Sequence, residues 1–184
     1  RRVSLDITGT LPAPAEIIAF LQDTSAEKRN RKIDELLTRP AYATWWATKF
    51  CDWQGNTSAL GPQGGEQGLN GVKSRQWHSW IERRIADNVP YDKLVEGIVL
   101  AIGKQPEQSF DDYSSEMSAY FRSENPVDFA ARETMPYYWT RRQLGSSSGK
   151  ALAFAYSFLG VSLQCAECHK HPYEETYTQE VFGG

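Results

Sequence analysis

Every apolar stretch of this chain repeats at three- and four-residue spacing, and none alternates over the length of a strand. A helix returns a side chain to the same face about every 3.6 residues and a strand every two, so this spacing predicts an all-α protein, an irregular multi-helix domain. Prolines and small polar residues punctuate it. Pro14 opens a helix through Ile17, Ile18, Phe20 and Leu21, at a first-turn position where its missing N–H costs nothing. Ser25 is expected to cap a second, striped by Ile33, Leu36 and Leu37, and Pro40 to end it, because the residue before proline avoids the α region. A third runs from about Tyr42 to Trp53 and aligns Trp45, Trp46, Phe50 and Trp53. Ser74 is expected to cap a fourth, with Trp77, Trp80, Ile81 and Ile85 on one face. The turn Asn88-Val89-Pro90-Tyr91-Asp92 leads into a fifth, capped by Asp92, through Leu94, Ile98 and Ile102. A polar stretch precedes a short helix near Ser114 to Phe121, and Asn125-Pro126 starts another, to about Thr134, before Pro136 breaks it. Ser146 to Gly149 is read as a linker, and Lys150 to Leu159 as a core helix carrying Leu152, Phe154, Ala155, Phe158 and Leu159.

One segment escapes this pattern. Gly55 to Gly71 holds six glycines and Pro62, with no strand beside it and no G-x-x-x-x-G-K-[ST] spacing, so it is a long loop and not a phosphate cradle. The whole chain, 1–184, is short enough for a single domain and long enough for a proper core without disulfide staples. It begins without Met and stops at Val181-Phe182-Gly183-Gly184 without an obvious ending, and is expected to be a piece of a larger protein. A formal charge of −3 with scattered basic pairs argues against a nucleic-acid partner, which needs a clustered positive surface. No run of about 18 apolar residues occurs, so no membrane span is expected.

The chemistry concentrates near residue 165. Cys165-Ala166-Glu167-Cys168-His169 is the C-x-x-C-H pattern that attaches a c-type haem. Two thiols add across the two porphyrin vinyl groups and the histidine meets the iron from one side. On a helix, positions i, i+3 and i+4 share one face, so Cys165, Cys168 and His169 can meet one porphyrin together. Such attachment generally takes place outside the bacterial cytoplasm, so the motif implies an exported protein, periplasmic or extracellular. The third cysteine, Cys51, lies in an aromatic run and is expected to be a buried inert thiol.

Around this motif the residues resemble the planctomycete cytochrome-like domain family. Phe158-Leu159-Gly160-Val161, the cysteine motif, and His171-Pro172-Tyr173 are similar to that family's F-L-G-V, C-A-x-C-H and H-P-F, with Tyr173 in place of Phe. Arg2 to Pro12 resembles its R-R-L-x-L-D-L-T-G-L-P-P opening, and Asn88 to Asp92 its N-x-P-Y-D turn. These anchors span nearly the whole chain. The resemblance implies an exported haem domain, often found inside large multidomain proteins.

The expected function is electron transfer through one covalent haem c to a redox partner protein or a neighbouring domain; a homo-oligomer bringing haems together is also compatible. His169 is the proximal ligand. His171, two residues on and followed by Pro172, cannot easily reach the opposite face of the same iron; it is suited to a propionate or a second haem in a neighbouring subunit. Met135, His78 and Met117 are the distal candidates, and an open sixth position would permit peroxidase-like chemistry. Two other readings stay open. Zinc could take Cys165, Cys168, His169 and His171, but structural sites draw ligands from two segments, and only His78 and Cys51 could supply a second. The chain could instead be a non-redox binding module that contacts glycan or protein through aromatic surface such as Tyr137-Tyr138-Trp139. A C-x-x-C redox thiol needs a βαβ unit, and none is visible.

Overall fold

The computed structural model describes residues 1–57, 69–141, 144–164 and 173. Among these residues every regular element is helical. Helix α1 (Arg2–Thr8) is followed by α2 (Pro14–Gln22), α3 (Lys28–Leu37), α4 (Pro40–Trp53), α5 (Leu69–Ala86), α6 (Tyr91–Leu100) and α7 (Phe110–Ala119). A single 3₁₀ turn (Phe129–Ala131) precedes α8 (Tyr138–Arg141) and α9 (Ser147–Phe154), and α9 widens into a π-helical turn over Ala155–Leu159.

Several boundaries depart from the spacing rules, each for a local reason. The apolar pattern gave no helix at the start, yet α1 forms there and is closed by Gly9 at φ 68°, whose N–H bonds the Leu5 carbonyl. A Cβ on Gly9 would lie 2.5 Å from the Trp45 ring, so only glycine both turns the chain and admits that indole. Ser25 is not the cap of α3: its hydroxyl accepts the Glu27 N–H, and the helix begins at Lys28. Pro40 opens α4 instead of ending α3, which stops at Leu37, because proline's fixed φ suits a first turn as well as a break. Ser74 lies inside α5, which starts at Leu69 and buries Gly71, so the glycine-rich loop is shorter at that end than composition suggested. Asp92 sits in the first turn of α6 with Pro90 as its cap residue. Ser109, not a residue near Ser114, caps α7 by accepting the Asp112 N–H. Asn125 adopts φ 48°, a left-handed conformation incompatible with helix initiation, and only the turn Phe129–Ala131 forms, capped by Asp128. Ser146 is likewise no linker residue but the cap of α9, accepting the Gly149 N–H at 3.0 Å.

The core sits where α5 crosses α4 and receives α6 and the 129–139 segment. Trp77, Trp80 and Ile81 of α5 are fully buried, against Ala47 and Cys51 of α4, Leu94 and Ile98 of α6, and Met135, Tyr138 and Phe158. Gly97 lets α6 approach: a Cβ there would stand 2.8 Å from the Trp80 ring, and its carbonyl accepts the Met135 N–H at 3.0 Å. Arg84 rivets this junction. Its guanidinium stacks 3.4 Å from the Trp80 ring centroid and donates to the main-chain carbonyls of Trp80, Ala130, Arg132 and Glu133. Burial, reinforced by neighbouring Arg83, pushes its pKa down to about 10, so it stays charged at neutral pH.

The N-terminal layer is held differently. Helix α2 buries no residue fully, and α2 is tied to α3 by ion pairs: Glu16 meets Arg39 and, at 3.0 Å, Lys32, while Glu35 also meets both cations. Arg39, the Ala13 N–H and Lys32 together hold the Glu16 carboxyl at about 2.

Candidate functional site

The cysteine motif follows directly on α9 and its π turn. Ser146 starts α9, and small residues, Gly149, Ala151 and Ala153, dominate its early turns. Wider i→i+5 turns of this kind occur frequently at functional sites. Here the turn ends at Gly160, φ 66°, whose N–H caps back to the Ala155 carbonyl. Two side chains fasten the turn to the body. The Tyr91 hydroxyl, at the start of α6, donates to the Phe158 carbonyl at 2.8 Å. The Ser157 hydroxyl donates to the Trp53 carbonyl at 3.2 Å, at the end of α4. Partial burial raises the Tyr91 phenol above its ordinary pKa. The Phe158 ring packs into the core beside Tyr138 and Phe154. The strand of chain that carries the cysteines thus leaves from a fixed point.

Between α9 and the outgoing residues 162–164 lies a cleft of about 530 Å³. Leu144, Gly149, Leu152, Ala153, Tyr156, Ser162, Leu163 and Gln164 line it, and none of these described residues is charged. Its volume falls in the usual range for small-molecule sites, about 300–1,000 Å³. Tyr156, in its lining, is 65 % exposed; Leu159 and Val161, a few residues on, are 61 and 45 % exposed, although the sequence spacing assigns Leu159 to the core. The signal that could have revealed the cleft is the Leu152–Tyr156 pair, one helical turn apart on one face.

Cys165, Cys168, His169 and His171 lie outside the described residues, which end at Gln164 apart from Tyr173. The three distal candidates are all described, and each is engaged elsewhere. Met135 is fully buried in the core, and its sulfur accepts the Tyr137 N–H at 3.4 Å. The Met117 sulfur, on α7, lies 3.7 Å from an Arg132 guanidinium nitrogen. Arg132 in turn pairs with Glu116 and donates to the Gly103 carbonyl. His78 bridges α5 to α4, its Nε2 3.1 Å from the Thr48 hydroxyl and its Nδ1 3.7 Å from Glu82. A metal ligand from Met135 would require opening the core.

Cys51 is buried, and its sulfur accepts an N–H from Asn56 at 3.4 Å. Among the described residues no group of three His, Cys, Asp or Glu side chains could hold a metal ion. The aromatic run Tyr137-Tyr138-Trp139 is a correction. Tyr137 and Tyr138 are core residues and Trp139 packs against the core with its indole N–H on the Val99 carbonyl, so this run offers no glycan-binding surface. Proline at 136 ends the preceding segment, and the three rings then fill the space between α5, α6 and the π turn. Among the described residues no helix is long and apolar enough to cross a membrane.

The chain belongs to the family described as PSCyt2, a protein of unknown function (DUF1549), whose model matches residues 1–183. No curated protein and no solved structure matches it.

Proposed function

We propose that the chain holds one c-type haem, attached through Cys165 and Cys168 with His169 on the iron, and passes electrons to a docked partner protein or a neighbouring domain outside the cytoplasm. The observation that carries this reading is the complete Cys165-x-x-Cys168-His169 motif. Its setting supports it: the described chain delivers that motif from an anchored π turn beside an uncharged cleft. The residues in view suit a porphyrin, whose flat faces are apolar and whose contacts need no charge.

Bound haem supplies a reversible one-electron couple. The protein's own part is division of labour along a short segment. The Cys165 and Cys168 thiols supply the two covalent links, so the group cannot dissociate. The His169 imidazole would supply a nitrogen ligand to the iron. Tyr91 and Ser157 hold the backbone of the π turn that precedes the motif in the chain. Leu152, Ala153 and Leu163 keep water away from their side of the cleft, and a low local dielectric disfavours extra charge near the site.

Denaturing electrophoresis of the protein produced in a host with haem-attachment machinery, stained for haem peroxidase activity, tests the reading. A stained band at the protein's mass is expected. A colourless band with stoichiometric zinc would overturn it.

A further inference from the structure

A covalent haem needs somewhere to lie, and the attachment motif does not say where. Among the described residues, clefts occur at several places, but their chemistry differs. One of about 510 Å³ is lined by Arg83, Asp87, Lys93, Glu96 and Glu133, and one of about 340 Å³ by the α2–α3 ion pairs. Charge on that scale would have to be desolvated under an apolar ring, at a cost of several kcal/mol per ion. A third, about 390 Å³ around Phe110, Tyr113 and Met117, is uncharged but sits on α7. The cleft of Leu144, Leu152, Ala153, Tyr156 and Leu163 is uncharged too, and its rim residue Gln164 is bonded directly to Cys165. Consecutive Cα atoms stand about 3.8 Å apart, so the first cysteine of the motif is one residue along the chain from the lining of this cleft, unlike the three other clefts named above.

Exposure points the same way. Tyr156, Leu159 and Val161 leave large apolar side chains uncovered at this end of the molecule, while Ala153 and Gly149 on α9 keep the floor low enough for a flat group. Covering apolar surface stabilises by roughly 25 cal/mol per Å². The π turn fixes the direction in which this surface faces, because Tyr91 and Ser157 tie it at both sides.

We infer that the cleft between α9 and residues 162–164 is the seat of the attached porphyrin: Leu152, Ala153 and Leu163 meet one face of the ring, and Tyr156 places its phenol at the edge. This rests on the attachment reading and adds to it a binding surface for a flat apolar macrocycle. Tyr156, Ser162 and Gln164 are then the neutral hydrogen-bonding groups beside it among the described residues.

Amide hydrogen exchange read by mass spectrometry tests this on the haem-loaded protein and on the double variant Cys165→Ser, Cys168→Ser made in the same host. Intact mass first establishes whether haem is attached. With haem attached, amides of residues 149–164 are expected to exchange at least about tenfold more slowly than in the double variant, with no change over α2. Leu152→Lys, which sets a charge into the seat, is expected to keep the haem mass, lose that protection and weaken the Soret circular dichroism. Leu21→Lys on exposed α2 is the control and is expected to change neither. Attached haem with equal exchange in both proteins, or Leu152→Lys indistinguishable from Leu21→Lys, overturns the seat and leaves attachment standing. A bare polypeptide mass overturns attachment, and the seat with it.

Discussion

Two apolar regions of this molecule stand in opposite states of burial. At the α4–α5 crossing, Trp77, Trp80 and Tyr138 are completely buried and their polar atoms are used inside: the Trp77 indole on Gln54, the Trp80 indole on the Arg132 carbonyl, the Tyr138 hydroxyl on the Ala153 carbonyl. At the end of α9, Tyr156, Leu159 and Val161 remain largely exposed, Tyr156 in a cleft whose described lining carries no charge. The first region is finished as it stands. The second leaves apolar side chains exposed a few residues before Cys165 in the sequence. Aromatic content alone therefore says nothing about where a flat ligand binds; what distinguishes the regions is whether the rings are already satisfied by protein.

The contrast can be broken most decisively at the tether. Cys165→Ser with Cys168→Ser should abolish covalent haem altogether, read as loss of the haem stain, while far-ultraviolet dichroism keeps its helical signature, since the described core is built from α4, α5, α6 and the 129–139 segment. Second in size is Trp80→Ala, which should cost about 3–5 kcal/mol by denaturant unfolding, since it empties a fully buried site and strands Arg84 above a missing ring. Tyr156→Ala in the haem-free protein should cost less than about 1 kcal/mol, as for other surface substitutions. Equal losses at the two positions would erase the distinction drawn between the regions.

A smaller effect belongs to the α2–α3 layer, which relies on charge where the core relies on burial. Glu16 is held at about 2, well below its unfolded value, so its contribution is complete above the ordinary carboxylate range and is lost as pH falls toward 2. Being partly solvated, the cluster should contribute only about 1 kcal/mol. Glu16→Gln should flatten the fall in urea midpoint between pH 5 and pH 2.5 while leaving the Trp80→Ala penalty at pH 7 unchanged. Met135→Leu should leave the site untouched. A volume-conserving exchange in the core costs less than about 1.5 kcal/mol, and the haem optical spectrum should not move, because Met135 is enclosed with its sulfur on the Tyr137 N–H. A changed low-spin spectrum would reinstate Met135 as an iron ligand and require that the core opens.

Period and proline made the helices legible, because 3.6-residue spacing reports a buried face whatever the topology. Thus Ile81 and Ile98 were readable as core from their spacing alone. Boundaries were less so. Pro40 and Ser74 fit two roles each, break or first turn, cap or interior, and only the packing of α4 against α5 chooses between them. Helix α1 was hidden because its stability comes from Gly9 accepting the Trp45 ring, a contact 36 positions away that no local pattern shows. At the site, the cysteine motif was legible as a motif, whereas the cleft was not. Leu152, Tyr156 and Leu159 look like any helical stripe in the sequence, and their exposure follows from what fails to pack on them.

Intact mass spectrometry under denaturing conditions, on protein exported from a host that attaches haem, meets the central claim most directly. The account predicts a polypeptide heavier by one haem, with the increment surviving acid and organic solvent because two thioethers hold it. A mass equal to the bare chain, with Cys165 and Cys168 open to alkylation, would contradict it.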